Sequence, residues 1–148
     1  MLDNMNDIIW AINPVNDTLE KVLIRMKLYA SEMLEPKNIS FLFAVDNEIK
    51  SIVIPMQYRR EWYLIFKEAV NNAAKYSGAN SMQVSIFLHQ RNLTMHIKDD
   101  GKGFLFDVNG SGNGLRNMRQ RAEQMKGSLQ IISSPGSGTE IILNQKFT

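Results

Sequence analysis

The spacing of the apolar residues changes several times along this chain, and each change marks the border of a secondary-structure element. Apolar residues recur three and four positions apart as far as Leu34, which predicts an amphipathic helix of about five turns with Asp17 as N-cap and Glu20 in a capping box. A second helical pattern covers residues 57–76 and a third covers residues 115–126, with Gly127 as the expected C′ residue. The side chains expected to face inward from the second helix are Trp62, Phe66, Ala69 and Ala73.

Short apolar or alternating runs between these helices predict three pairs of strands. The first pair is "SFLFAVD" and "KSIVIP", joined by a turn at "NE". The second is "SMQVSIFLHQ" and "NLTMHIKD" about "RN", and the third is "SLQIIS" and "GTEIILNQKF" about "SPGSG". The residues expected on the buried side of the second pair are Val84, Ile86, Leu88, Leu93, Met95 and Ile97, which leaves His89 and His96 out of phase with the core.

Composition excludes several classes of function. A chain of 148 residues that is 44% hydrophobic is the size of one ordinary domain. It has no cysteine and two histidines, so a disulfide framework, a thiolate nucleophile and a cysteine zinc site are excluded. The formal charge of +2 includes no basic run, and nucleic acid is not expected as a partner. Because no apolar run approaches the roughly 20 residues of a membrane span, we expect a soluble, cytoplasmic fragment.

The run "FKEAVNNAAKYS" predicts a helix with one packed face and one polar face. At 100° per residue, Glu68, Asn72 and Lys75 fall within an arc of about 60°. A carboxylate, an amide oxygen and an ammonium in one line suit a polyphosphate bound with Mg²⁺, which prefers oxygen ligands. The alternative is a solvated polar face without function, and Asn71, nearer the flank, is assigned no function.

A second motif, "KDDGKGF", directly follows a predicted strand. At the end of that strand Asp99 can accept a hydrogen bond from an exocyclic amine, and Gly101 and Gly103 allow a tight turn against a flat ligand. Adenine presents an amine where guanine presents a carbonyl, so the motif favours adenine. The alternative is a glycine turn capped by an aspartate.

A third motif, "NGSGNGLRNM", opens the last predicted helix with Gly110, Gly112 and Gly114. The unpaired N–H groups of a helix N-terminus can cradle phosphate, and glycines let its oxygens approach the backbone. The spacing differs from the dinucleotide-binding fingerprint, and no Gly-Lys-Ser or Gly-Lys-Thr of a P-loop follows. A long glycine-rich connection in a compact domain is usually functional, although a mobile loop without a ligand is the alternative.

The order of these motifs resembles the ATP-binding domain shared by sensor histidine kinases, DNA gyrase, mismatch-repair ATPases and the ninety-kilodalton heat-shock chaperone. Within that superfamily it is most similar to the catalytic domain of sensor histidine kinases of the nitrate-sensor and lipid-desaturase-sensor type, from about Thr18 to the C-terminus. The motifs that carry the resemblance are Glu68-x-x-x-Asn72-x-x-Lys75, Asp99-x-Gly101-x-Gly103, Gly112-x-Gly114-Leu115 and Gly136-x-Gly138-Thr139.

The resemblance implies a catalytic role for Glu68, Asn72 and Lys75. Asn72 would coordinate Mg²⁺, Glu68 would orient or polarise a water or the attacking group, and Lys75 would meet phosphate. Tyr76 stands where many relatives have histidine, and its phosphate contact is the least supported.

The resemblance also implies residues for the base and the lid. Asp99 would bind the adenine amine, and Gly101 and Gly103 would shape the pocket around the base. Thr139 would support Asp99 through a water. The ATP lid would include Gly112 and Gly114, with Leu115 beside them in the nucleotide-binding set.

The fold implied is α+β, a two-layer sandwich of the Bergerat type. Its mixed, largely antiparallel sheet would be covered on one face by helices, with ATP between the helices and a lid. The independently predicted helices and strands agree with it.

No histidine precedes His89, so the chain lacks a phosphoacceptor histidine on an upstream dimerisation helix. We expect residues 1–14 to be the remnant of that helix and its linker, and residues 15–148 to be the catalytic domain; a frayed terminal helix is the alternative for the first segment. The expected partners are a phosphoacceptor domain and a response regulator, within a homodimeric parent whose attachment to a membrane is left open.

Two other functions stay open on the sequence alone. One is a serine kinase of the anti-sigma-factor type, which shares the fold. The other is a non-catalytic nucleotide-binding or scaffold module.

Overall fold

The computed structural model describes residues 9–10, 13–103 and 112–146. Within these ranges three full α-helices and five strands are described, and a π-helix over Ala73–Ser77 continues the second α-helix. The α-helices are α1 (Leu19–Leu34), α2 (Met56–Asn72) and α3 (Gly112–Gln124). The strands are β1 (Ser40–Val45), β2 (Ser81–His89), β3 (Asn92–Asp99), β4 (Ser128–Ser133) and β5 (Thr139–Lys146).

The strands form one sheet in the order β1-β2-β3-β5-β4. Strand β1 pairs with β2 in parallel, whereas β2 with β3, β3 with β5 and β4 with β5 are antiparallel. Alternate residues of the central strands lie in the core that the helices share, which confirms the predicted α+β sandwich with a mixed, mostly antiparallel sheet. The buried residues of this sheet face are Met82, Val84, Ile86, Leu93, Met95, Ile97, Ile141 and Leu143.

Helix α2 lies at the centre of the core. Trp62 and Phe66 are fully buried, and the ring of Phe66 packs against Phe41 and Phe43 of β1 at centroid distances of 6.4 and 6.3 Å. Ala69 and Ala73 are buried as well, so the predicted inward face of this helix is confirmed. Leu88 is 41% exposed, contrary to prediction, because the pairing of β1 with β2 ends at Ile86 and the end of β2 extends past that cover.

The predicted strand pair over "SFLFAVD" and "KSIVIP" is wrong in its second half. Residues 50–54 form no strand, apart from a single bridge between Val53 and Thr18. Their backbone serves α1 instead: Leu19 N–H donates to Ile52 O and Glu20 N–H to Lys50 O, each at 2.8 Å. The apolar run therefore closes the start of a helix.

These bonds also explain why the predicted N-cap is wrong. The N-cap of α1 is Thr18 rather than Asp17, and it makes no side-chain capping bond. Because the backbone of residues 50–52 satisfies the first N–H groups of the helix, a side-chain cap is not required there.

The end of α3 also differs from prediction by one residue. Lys126, at φ +58°, holds the left-handed position that was assigned to Gly127. Gly127 N–H donates to Ala122 O and Lys126 N–H to Glu123 O, which is the pattern of a Schellman motif with Gly127 at C″. A Cβ at position 127 would come within 2.6 Å of the Gln145 side-chain oxygen and 3.0 Å of the Asn144 carbonyl oxygen, so a larger residue there would require Gln145 to move.

Helix α3 is joined to α2 by an ion pair. Arg121 Nη1 lies 2.9 Å from Glu61 Oε2, and the Glu61 side chain is only 10% exposed. Leu115, Met118, Ala122 and Met125 complete this contact on the apolar side. The glycine-rich start of α3 is thereby held at a set position beside α2.

Most of residues 1–14, expected to be the remnant of a dimerisation helix and its linker, lie outside the described residues, as does most of the Gly101–Gly114 segment. Trp10 is described and packs on α2, with its ring centroid 6.0 Å from that of Tyr63. In the described part of the chain, none of the helices has the length and apolarity of a membrane span.

Candidate functional site

The polar residues of α2 that the sequence assigns to the site lie along one line beside the buried face of the helix. Glu68 and Asn72 are four residues apart, hence one turn apart, and both are half-buried. Glu68 lies directly against the first turn of α3, where a Cβ added at Gly114 would overlap the Glu68 Oε1 atom. The first and third motifs therefore meet, and a side chain at position 114 would require the Glu68 carboxylate to move.

The predicted helical line breaks directly after Asn72. Residues Ala73–Ser77 form a π-helix, whose wider turns change the angle between successive side chains. The 60° arc predicted for Glu68, Asn72 and Lys75 assumed a regular α-helix and is wrong for Lys75, which is exposed in the π-helical segment. Tyr76 belongs to the same segment, and its side chain lies outside what the structure describes. Such π-helical turns occur frequently at functional sites.

Asp99 ends β3 as a buried carboxylate. It is 8% exposed, and its Oδ1 accepts a hydrogen bond from Gly101 N–H at 2.9 Å. Burial raises the pKa of Asp99, and the backbone N–H groups of Gly101 and Thr139 offset part of that rise. A buried carboxylate with a raised pKa at a strand end is typical of a functional position.

The neighbouring Asp100 makes hydrogen bonds that join two segments of the fold. Its carboxylate accepts from Asn80 N–H at 2.8 Å, from Ser81 N–H at 2.9 Å and from the Ser81 hydroxyl at 2.9 Å. The N–H groups of Ser81 and Asn80 lower the pKa of Asp100. Asp100 thus joins the start of β2, which follows the π-helix after three intervening residues, to the strand end that carries Asp99.

Two glycine motifs pack on each other behind Asp99. Gly103 has φ +66°, and a Cβ there would overlap the carbonyl oxygen of Ser134. Gly138 has φ +72°, and a Cβ there would overlap the carbonyl oxygen of Asp99. Gly136 N–H closes the contact by donating to Lys102 O at 2.6 Å. The second motif therefore depends on the turn between β4 and β5 for its conformation.

Thr139 lies opposite Asp99 in the pairing of β3 with β5. Its hydroxyl is 3.0 Å from the hydroxyl of Ser133, which also donates to Gly138 O at 3.0 Å. The water-mediated support of Asp99 by Thr139 stays a prediction.

The remaining predicted residues lie at the start of α3. Gly112 is the first residue of the helix, and the side chain of Leu115 is buried in the core with 7% exposure. Gly110 and the rest of residues 104–111 lie outside the described residues.

Asn71, to which the sequence pattern assigned no function, makes a hydrogen bond between two helices. The Tyr29 hydroxyl of α1 donates to Asn71 Oδ1 at 2.6 Å. This bond spans 42 residues of sequence, so the local pattern around Asn71 does not identify its partner. The one available signal was the asparagine doublet itself, since two poor helix formers in a helix interior indicate two separate polar tasks.

The donor set fits a metal that keeps most of its ligands outside the protein. Among the described residues no group of three or more His, Cys, Asp and Glu side chains converges. Glu68 and Asn72 offer oxygen donors on one line of α2, and Mg²⁺ commonly takes one or two protein ligands together with phosphate oxygens and waters.

Comparison with known proteins agrees with this geometry. Residues 58–148, more than half of the chain, match the family model of histidine kinase-, DNA gyrase B- and HSP90-like ATPases. This chain belongs to that ATPase family.

The most similar curated relatives include the sensor protein VraS of Staphylococcus haemolyticus and of Staphylococcus aureus. Each is 34% identical over 98 residues, which are 66% of this chain and 28% of the relative. The chain therefore spans less than a third of the length of these relatives.

Solved structures of histidine kinases share the fold. The Erythrobacter litoralis blue-light activated histidine kinase EL346 covers 98% of this chain with 52% of its own, at TM-score 0.77 and 16% identity. The Acinetobacter baumannii histidine kinase AdeS covers 98% with 76% of its own, at TM-score 0.73 and 15% identity. The nucleotide-free catalytic domain of histidine kinase ThkA covers 87% with 93% of its own, at TM-score 0.71 and 17% identity.

The glycine contact behind Asp99 yields a stability prediction. Gly138→Ala combines a left-handed φ with overlap on the Asp99 carbonyl, so we expect it to lower the free energy of unfolding by about 2–4 kcal/mol. Gly136→Ala is the matched control, because its φ of +82° is strained but no atom lies within 4 Å of the added Cβ. Urea denaturation should show about 1–2 kcal/mol for this control. Equal losses for the two variants would contradict the packing described here.

Proposed function

We propose that this chain is the ATP·Mg²⁺-binding catalytic domain of a sensor histidine kinase and transfers the γ-phosphate to a histidine outside the chain. The main support is the meeting of Glu68 on α2 with the glycine-rich start of α3. Membership of the ATPase family and similarity to sensor kinases support nucleotide use.

Asp99 would recognise the base. One carboxylate oxygen already accepts from Gly101 N–H, and a carboxylate has capacity for a further donor such as the adenine exocyclic amine. Guanine has a carbonyl at that position and would oppose the carboxylate. Because Asp99 is buried, this hydrogen bond would form in a medium where it is stronger than in water. The glycines at positions 101 and 103 would leave room for the ring.

Asn72 would hold Mg²⁺ through its amide oxygen. The ion would neutralise charge on the β- and γ-phosphates when bound, and Lys75 and Tyr76 would meet phosphate from the π-helical segment. Gly112 and Gly114 would place the N-terminus of α3 toward the same phosphates, with Leu115 fixing that turn to the core.

In phosphoryl transfer the protein mainly positions the reactants and neutralises charge, and it contributes little covalent chemistry. The bond between the γ-phosphorus and the bridging oxygen of ADP breaks as a phosphorus–nitrogen bond forms on the acceptor imidazole. Glu68, half-buried beside Gly114, would orient the acceptor and take up the proton that its ring releases.

The acceptor and the later partners lie outside the described chain. We propose a dimerisation domain with the phosphoacceptor histidine and a response regulator as the partners, with the parent acting as a cytoplasmic or membrane-attached homodimer. Of the alternatives, the serine kinase and the non-catalytic module receive no support from the comparisons, which return sensor kinases.

The acceptor chemistry is the most direct test of kinase function. We expect γ-labelled ATP with Mg²⁺ to transfer acid-labile phosphate to a sensor-kinase dimerisation domain supplied in trans. His89 and His96 of this chain should stay unlabelled, because both lie on strand positions away from the proposed site. Acid-stable label on serine would favour the anti-sigma-factor type, and label on His89 or His96 would contradict the assignment.

Replacement of the metal ligand tests the phosphate end of the site. We expect Asn72→Ala to weaken ATP binding at saturating Mg²⁺ by about tenfold or more, with little change when EDTA is present. Calorimetric titration measures both affinities. The control is Asn47→Ala, at an exposed asparagine outside the site. An unchanged affinity in Asn72→Ala would exclude its role as ligand.

Asp99 gives a pH-dependent prediction. Because the pKa of folded Asp99 is raised, this residue gains a proton at a higher pH than an ordinary aspartate. Its ionised carboxylate therefore destabilises the folded state at pH values above the pKa of the unfolded state. ATP affinity should therefore fall on acidification before the pH reaches 3.8, and Asp99→Asn should weaken ATP about tenfold while leaving or raising the melting temperature.

Asp100→Asn is the matched control for Asp99→Asn. The lowered pKa of Asp100 means that its stabilising contribution is present above its unfolded pKa and is lost as the pH falls through the folded pKa. This variant should lower the melting temperature at neutral pH with ATP affinity nearly unchanged. The assignment would be reversed if Asp100→Asn lost ATP binding and Asp99→Asn kept it.

A further inference from the structure

Tyr29 of α1 contacts three successive turns of α2. Its ring lies edge-on to Tyr63, with centroids 6.3 Å apart and planes at 76°. Lys67 Nζ lies 5.2 Å from the centroid of the Tyr29 ring, and the Tyr29 hydroxyl donates to Asn71 Oδ1 at 2.6 Å. The contacted residues are spaced by four, so they form one line along the helix.

This line runs beside the chemical line of α2. Positions 64, 68 and 72 follow positions 63, 67 and 71 by one residue, hence by about 100° around the helix. A side chain that fixes the rotation of the first line also fixes the direction in which Glu68 and Asn72 point.

The bond from Tyr29 lies beside the irregular turn of the helix. Directly after Asn72 the α-helix changes to the π-helix Ala73–Ser77, and Ala73 N–H is shared between Ala69 O and Val70 O. The regular hydrogen-bond ladder therefore ends at the turn that carries Asn72. The bond from Tyr29 reaches Asn71, the residue immediately before it.

We propose that Tyr29 is a positioning residue for the metal end of the site, acting through Asn71 to hold the direction of Asn72. This inference rests on the proposed role of Asn72 in binding Mg²⁺ with ATP. Tyr29 lies on a different helix and 43 positions before Asn72, outside every motif that the sequence presents.

The substitution that tests this inference is Tyr29→Phe, which keeps the ring against Tyr63 and Lys67 and removes the hydroxyl that donates to Asn71. We expect the Mg²⁺ concentration for half-maximal enhancement of ATP binding to rise about three- to tenfold, the range of one lost hydrogen bond. Adenosine binding in EDTA, which needs no metal, should change by less than about twofold. Asn71→Ala should reproduce the effect, and the double variant should add little to either single change.

The matched control is Tyr58→Phe, the same chemical change near the other end of α2, which should leave the Mg²⁺ dependence unaltered. Wild-type Mg²⁺ dependence in both Tyr29→Phe and Asn71→Ala would overturn the inference, as would an equal loss of adenosine binding, which indicates a general structural role. If Asn72→Ala loses the Mg²⁺ dependence while Tyr29→Phe keeps it, the positioning role alone fails. If the wild-type chain binds ATP without any effect of Mg²⁺, the proposed metal site and this inference fail together.

Discussion

Burial of one face of α2 in the core determines the rest of the site. Trp62, Phe66, Ala69 and Ala73 are removed from water against the sheet, and this packing fixes the rotation of the helix. The adjacent line, with Glu68 and Asn72, is then half-buried without freedom to turn away. Because successive residues of an α-helix are about 100° apart, the packed face and the polar line lie side by side on the same helix.

The base end of the site depends on backbone contacts between distant segments. Gly103 and Gly138 allow two turns to approach more closely than side chains would permit, and this approach supports the end of β3. Asp100 joins that strand end to the start of β2, which follows the π-helix after three intervening residues. A rigid link therefore runs from the carboxylate proposed for adenine to the segment proposed for phosphate. The buried charge of Asp99 costs stability, which is common at functional sites.

Local periodicity was sufficient for most of the fold. The patterns of α1, α2, α3 and the two later hairpins predicted their elements, because each buries one face of a regular structure. The prediction failed over residues 50–54, where an apolar run closes the start of α1 through backbone bonds that composition does not reveal. It also failed at Leu88, whose burial depended on how far β1 extends.

The candidate site was predictable only in part, for the same reason. Motif order predicted roles for Glu68, Asn72 and Asp99, whereas the residues that these three contact come from elsewhere in the chain. Tyr29 and Gly138 act across long sequence separations, and the switch to a π-helix after Asn72 breaks the regular spacing on which a helical wheel depends.

Discrimination between purines tests the central claim most directly, because it depends on the buried Asp99 carboxylate and on the phosphate end of α2 together. Calorimetric titration of the chain with ATP and with GTP, each with Mg²⁺ at millimolar concentration, should give saturable heat for ATP and little or none for GTP. Equal binding of the two nucleotides, or no binding of ATP, would contradict this account of the site.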